Sequence, residues 1–214
     1  SMPRDRAKDQ TYVLYCLTQK QLARVEFPLG ALSKAQVREI AEQKSLINAK
    51  KKDSQDICFV PDGDYAAFIE KTAGYSSKSG DYVNLAGEKL GEHKGVIHYT
   101  IGQRKGLGIA LSKPTFVIAK DAETNKVVLG DQEFLFYKKV LVKDTNFIPF
   151  DKFEGEMRVA AKLRYSQKEQ PATIKPLENG EVLIEFDSPQ RAPSPGQAAV
   201  FYDGDTVLGG GTIL

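Results

Sequence analysis

The stretch Met157-Arg-Val-Ala-Ala-Lys-Leu-Arg-Tyr165 decides the fold. Met157, Val159, Ala161, Leu163 and Tyr165 alternate with Arg158, Ala160, Lys162 and Arg164, giving a period of two with one apolar and one largely basic face. Successive side chains of a strand point to opposite sides of a sheet, so this pattern predicts a strand with one face on a core. Val182, Ile184 and Phe186 alternate in the same way, and Ala198 to Tyr202 supplies a further strand. Upstream, Thr115 to Ala119 and Val127 to Leu129 flank the turn Ala122-Glu-Thr-Asn125 as a hairpin. From Lys113 onward the pattern is all β, and short strands separated by Pro and Gly turns predict a small closed barrel. Gly209, Gly210 and Gly211 in a row point to a strand bend or to backbone pressed against another surface.

The first third of the chain reads as helical. Thr18 caps a short helix through Gln19 to Val25, and Pro28-Leu-Gly30 breaks the chain. Ser33 followed by Gln36 is a capping box, in which the hydroxyl takes an orphan N–H and the glutamine reaches back. The helix behind it should end near Lys44 or Ser45, with Ala35, Val37, Ile40 and Ala41 as its inner face. Pro61-Asp-Gly-Asp64 forms a turn cluster, and Tyr65 to Lys71 predicts another short helix. The fold class is therefore α+β followed by all-β: a short helical segment over 1–60, a small central domain over 61–131 and a C-terminal β-barrel over 132–214.

The 214 residues carry 30 basic and 28 acidic side chains, so net charge alone says little about partners. Residues 1–52, however, hold eleven Lys or Arg against five acids. Such a stretch suits a phosphate backbone and equally suits a solvated face. No run approaches the roughly 18 apolar residues of a membrane span, and no secretory leader is visible. A soluble, cytoplasmic protein with no membrane partner is expected. Two cysteines far apart, Cys16 and Cys58, make no disulfide framework and fit a reducing compartment. His93 and His98 are the only histidines, and without a close cysteine pair no metal site is expected.

Two stretches carry possible chemistry. Cys58 follows Lys50-Lys-Lys-Asp-Ser-Gln-Asp, where the lysines would favour a reactive thiolate and Asp53 and Asp56 would oppose it. Cys16, within Leu14-Tyr-Cys-Leu17, reads as a small apolar filler. In His93 to Gly108, glycines surround Gln103, Arg104 and Lys105, so backbone and two cations could approach a phosphate; a tight basic turn explains the same residues. The stretch matches neither the P-loop nor the dinucleotide-binding pattern.

Five motifs in order resemble the tRNA 2-thiouridylases: Lys8-Asp-Gln-Thr-Tyr-Val-Leu-Tyr15, Phe27-Pro-Leu-Gly30, Lys52-Asp-Ser-Gln-Asp-Ile-Cys-Phe59, Tyr99-Thr-Ile-Gly-Gln-Arg-Lys-Gly-Leu-Gly108, and Pro195-Gly-Gln197 with Leu208-Gly-Gly-Gly211. Together they span nearly the whole chain. The resemblance implies an ATP-dependent sulfurtransferase that places sulfur on a wobble uridine, with Cys58 as persulfide carrier. It implies tRNA contacts at Lys8, Asp9, Gln10, Arg164, Tyr165 and Gln197, and a sulfur-donor protein (a persulfide relay or a cysteine desulfurase) as partner. Arg104 and Lys105 are further candidates for the RNA backbone. The family's Ser-Gly-Gly-x-Asp-Ser pyrophosphatase loop and its second cysteine are not in this sequence. ATP with Mg is thus expected for a full-length parent, and no cofactor or completed reaction is expected for these residues alone. A non-catalytic RNA-binding module with an inert Cys58 is the alternative, and a barrel that docks a sulfur-relay partner is a third reading.

Overall fold

The computed structural model of the chain describes residues 3–6, 9–51, 60, 63–74 and 76–214. It divides into two compact units, residues 1–52 with 138–214, and residues 53–137.

The first unit opens with a 3-10 turn, Thr11–Cys16. Helices α1 (Gln19–Leu22) and α2 (Lys34–Gln43) follow, both started by the capping boxes that the sequence indicates. The Thr18 and Ser33 hydroxyls accept from the backbone N–H of Gln21 and Gln36, and each glutamine accepts from the cap residue's own N–H. Asp5 reinforces α2 by accepting from the Lys34 N–H at 2.9 Å. The expected inner face of α2 is a different matter: the helix has no buried residue, and Ile40 is 43% exposed. Hydrogen bonds at its N-terminus anchor this helix, and none of its apolar side chains is buried. Cys16 is likewise exposed and not a core filler, with its thiol facing the Val13 carbonyl of its own turn.

In the second unit, α3 (Tyr65–Ala73) is capped by the Asp64 carboxylate, which accepts from Ala67 N–H. Strands β1 (Gly80–Val83), β2 (Lys89–His93), β3 (Phe116–Asp121) and β4 (Lys126–Gly130) form one sheet in the order β2-β1-β4-β3. The expected β3–β4 hairpin is present, and the β1–β4 pair is parallel. Asp121 ties the hairpin turn by accepting from the N–H groups of Glu123 and Thr124 and from the Thr124 hydroxyl. Tyr82, Val96, Tyr99, Leu107, Val117, Val127 and Leu129 make the core of this unit.

The barrel of the first unit consists of β5 (Phe136–Phe147), β6 (Met157–Lys162), β7 (Gln170–Pro176), β8 (Val182–Arg191), β9 (Ala198–Asp203) and β10 (Thr206–Ile213). It closes in the order β10-β5-β8-β7-β6-β9, which leaves no free sheet edge. Val159, Ala161, Leu163, Ile174, Ile184, Phe186 and Phe201 lie in its interior.

Strand β6 stops at Lys162, three residues before the alternation does. The Gln167 side chain takes the Leu163 N–H at 3.1 Å, and Gln167 N–H bonds the Arg164 carbonyl, so the chain turns there. Leu163 remains buried while Tyr165 leaves the core and is 53% exposed. The outer face of β9 and β10 is covered in turn by the 3-10 segment, where Tyr12 and Tyr15 pack on Val200, Tyr202 and Val207. Gly210 permits this approach: a Cβ on it would stand 2.8 Å from the Tyr15 ring and 2.4 Å from the Ala199 carbonyl. Asn146 of β5 completes the attachment, its amide donating to the carbonyls of Tyr15 and Leu17. No helix among the described residues is long and apolar enough to cross a membrane.

Candidate functional site

One rim of the barrel gathers most of the residues singled out in the sequence. It is built from the β6–β7 turn, the β8–β9 loop and the entry to the 3-10 segment. Arg164 and Tyr165 sit just beyond β6, and Gln197 just before β9. Asp9 and Gln10 lead into Thr11, with Gln10 exposed at the start of the turn.

Aromatic contacts and hydrogen bonds knit the three pieces together. The Tyr165 hydroxyl donates to the Asp9 carbonyl at 3.1 Å. Its ring meets Tyr12 edge-on, with centroids 6.0 Å apart. Tyr12 in turn donates to the Ala198 carbonyl at 2.6 Å, beside Gln197. Burial pushes the Tyr12 phenol up to about 12, with nearby Tyr15 adding and Arg164 opposing. Tyr12 is therefore a protonated donor at neutral pH.

Arg164 is half-buried, and its Nη2 donates to the Ala192 carbonyl at 2.7 Å and to the Ser194 hydroxyl at 3.1 Å. It holds the β8–β9 loop as well as placing a positive charge at the rim. The loop closes through Gly196 N–H on the Ile213 carbonyl and Ile213 N–H on the Gln197 carbonyl, both at 2.8 Å. The Gln197 side chain is thereby held on the exposed side of the loop. Exposed Gln10, Tyr165 and Gln197 offer hydrogen-bonding groups and one aromatic face, a set suited to sugar, phosphate and base contacts.

Asp9 is the exception. Its carboxylate accepts from Thr11 N–H at 2.8 Å and from the Thr11 hydroxyl at 3.0 Å, and its Oδ2 lies 3.8 Å from Lys162 Nζ. The basic face read from β6 is similarly engaged. Arg158 grips Asp187 through two nitrogens, both at 2.8 Å, and Lys162 lies between Asp9 and Glu169.

Lys8 and Cys58 lie outside the described residues. Arg104 and Lys105 are exposed in the second unit, on the loop between Tyr99 and β3. That loop is closed by Gly102 N–H on the Val117 carbonyl and by Gln103, whose side chain bridges Thr100 N–H and the Lys105 carbonyl. His93 is buried against Tyr82 and Tyr99, and its Nδ1 accepts from Gly95 N–H at 2.9 Å. Burial lowers its pKa, so it sits neutral in the core of that unit. Among the described residues, no group of three or more His, Cys, Asp or Glu is arranged to hold a metal ion.

Three family models match the chain in succession: a tRNA methyl transferase HUP domain over residues 1–62, a tRNA methyl transferase PRC-barrel domain over 66–131, and an aminomethyltransferase beta-barrel domain over 137–213. A protein of Thermoanaerobacter pseudethanolicus named tRNA-specific 2-thiouridylase MnmA 1 is 56% identical over 98% of this chain and 57% of its own length. The tRNA-specific 2-thiouridylase MnmA of Acetivibrio thermocellus is 55% identical over 96% of this chain and 57% of its own. The chain belongs to the tRNA 2-thiouridylase family. It spans a little over half the length of these relatives.

In this family member, sequence reasoning had missed Tyr12, Lys162, Gln167, Gln190 and Ser194. Gln167 donates to buried Gln190 at 2.8 Å, and Gln190 donates to the Ser188 carbonyl, which braces the β6–β7 turn. Tyr12 belongs to the Lys8–Tyr15 motif, yet nothing in its spacing announces its bond to the Ala198 carbonyl. Lys162 was legible only as part of a basic face, because period two cannot tell a solvated outer face from a covered one.

Proposed function

We propose that this chain is the tRNA-handling part of an ATP-dependent sulfurtransferase that 2-thiolates a wobble uridine, organised as segments 1–60, 61–131 and 132–214. The observation that carries the proposal is the convergence of Gln10, Arg164, Tyr165 and Gln197 on one barrel rim in a chain about 55% identical to named 2-thiouridylases. Lys8, in the same motif as Gln10, adds a cation to the RNA-binding set.

In this reading Cys58 carries the sulfur. The terminal sulfur of its persulfide, a strong nucleophile at neutral pH, attacks C2 of the adenylated uridine and AMP leaves with the C2 oxygen. The family's second cysteine, which is not in this sequence, then attacks Cys58 Sγ, so that the S–S bond breaks, the sulfur stays on C2 and a disulfide remains. The sulfur arrives from a donor protein. In this reading ATP with Mg is bound through the family's Ser-Gly-Gly-x-Asp-Ser loop, which this sequence does not contain.

Two measurements test the reading. Titration of tRNA at several salt concentrations should give salt-dependent binding that Tyr165→Ala and Gln10→Ala each weaken several-fold. Intact mass after exposure to a persulfide donor should show one added sulfur on the wild type and on Cys16→Ser, and none on Cys58→Ser. Equal labelling of Cys58→Ser and wild type would end the carrier assignment.

A further inference from the structure

Lys162 is a nearly buried cation beside the rim. Its ammonium is drawn in under the N-terminal segment, 3.8 Å from Asp9 Oδ2, 3.6 Å from Glu169 Oε2 and 5.3 Å from the centroid of the Tyr202 ring. The Lys162 side chain is 11% exposed and that of Asp9 only 9%. A cation and a carboxylate this far from water persist because each offsets the desolvation of the other. Both Asp9 oxygens also accept from Thr11, so the carboxylate points into the protein and not toward a ligand.

This arrangement fits poorly with direct RNA contact by Asp9. A phosphate would be repelled by a carboxylate, and the Asp9 oxygens are already engaged. What Asp9 does offer outward is its backbone carbonyl, which receives the Tyr165 hydroxyl. Holding Asp9 in place therefore holds Tyr165, the exposed aromatic of the rim, and fixes the entry to the 3-10 segment that Gln10 caps.

We infer that Lys162 is a positioning residue for tRNA binding: its buried pairing with Asp9 latches the N-terminal segment to β6, and Asp9 serves as its counter-charge and not as an RNA ligand. The inference rests on the tRNA-binding reading above. Removing the ammonium takes from the nearly buried Asp9 carboxylate the cation 3.8 Å from its Oδ2, leaving it the Thr11 bonds and the exposed Arg6 guanidinium. The carboxylate then turns out to water, and the Thr11 bonds and the Tyr165 acceptor go with it.

The test uses the 214-residue chain with two readouts, amide hydrogen exchange over residues 9–16 and tRNA affinity as a function of salt. Lys162→Met should reduce protection of the Thr11 amide by at least about tenfold. It should also weaken tRNA binding while leaving the slope of log affinity against log salt unchanged. Lys162→Arg should restore both. Asp9→Asn should weaken binding even though it removes a negative charge from an RNA-binding rim, and the double variant should be no worse than Lys162→Met alone.

Two results would overturn the inference. One is unchanged exchange in Lys162→Met with a salt slope lower by about one, which marks a direct phosphate contact. The other is tighter RNA binding by Asp9→Asn, which marks a carboxylate that merely repels. If Lys162→Met does not fold, Asp9→Asn reads the same pair from the other side. If the wild type fails to bind tRNA, the functional reading falls by itself, and exchange at Thr11 still decides whether the latch exists.

Discussion

On β8 of the barrel, Val182, Ile184 and Phe186 are buried while Leu183 and Glu185 between them keep access to solvent. On β9 and β10, across the same interior, Ala199 to Tyr202 and Val207 to Gly211 are buried without interruption. Both walls belong to one antiparallel barrel, so the difference comes from what lies outside them. The β8 wall faces water, and the β9–β10 wall is roofed by the Tyr12 and Tyr15 segment. In an antiparallel sheet an unbroken apolar run is thus the mark of a second packing layer. In this chain that layer is entered through Gln10, one of the residues proposed above to contact tRNA.

The sharpest way to break the comparison is Gly210→Val. Its Cβ would meet the Ala199 carbonyl at 2.4 Å and the Tyr15 ring at 2.8 Å, so both the strand pairing and the roof must shift. A loss of about 4 kcal/mol or more is expected in denaturant unfolding. Gly180→Ala, in the β7–β8 turn, has open space around its new methyl and only a φ of +82° to strain. It should cost about 1 kcal/mol. Equal losses for the two would mean that the roof contributes nothing.

Tyr12→Phe comes next. Deleting the bond to the Ala198 carbonyl should cost about 1 kcal/mol. The phenol is raised from 10.0 to about 12 in the folded chain, so its contribution is fully present below pH 10 and disappears as pH climbs toward 12. The stability difference between wild type and Tyr12→Phe in denaturant unfolding should therefore shrink over that alkaline window.

The second unit provides a titration of opposite sense. Burial depresses His93 below its ordinary 6.5, and the unfolded chain takes up the proton first. Stability of that unit is then complete above pH 6.5 and falls as pH drops below it. His93→Gln should remove this acid limb in exchange measurements on β1 and β2 while leaving the barrel strands unaffected.

The smallest effect belongs to the open wall. Arg158→Ala breaks an exposed two-nitrogen pair with Asp187 on the outer faces of β6 and β8. Water screens such pairs, so the unfolding midpoint of the barrel should not move measurably. A large drop would mean that this pair on the outer face is not screened by water as its exposure implies.

Much of this architecture is legible in the sequence alone. Thr18 with Gln21 and Ser33 with Gln36 announce their caps because a helix start has local, side-chain-specific bonding needs. Val182, Ile184 and Phe186 announce an inward face because alternation follows from strand geometry alone. The β6 strand end was not legible, because the turn is made by Gln167 reaching back to Leu163 and by Gln190 from another strand. The buried inner face expected for α2 was not found for a related reason: an apolar stripe records a capacity for burial, and a covering surface must still be present.

By itself the sequence determined the element types, the closed β character of the C-terminal part and, through motif order, the family. These depend on contacts within a few residues or on a repeat along one strand. Only the tertiary structure decided that Asp9 faces inward to Lys162, that Tyr12 and Tyr165 join the N-terminal segment to the rim, and that the glycine run makes room for Tyr15. Each of those outcomes pairs residues more than 100 positions apart. Local propensity has no means of encoding such a pairing; it is set by which surfaces exclude water together when the barrel closes.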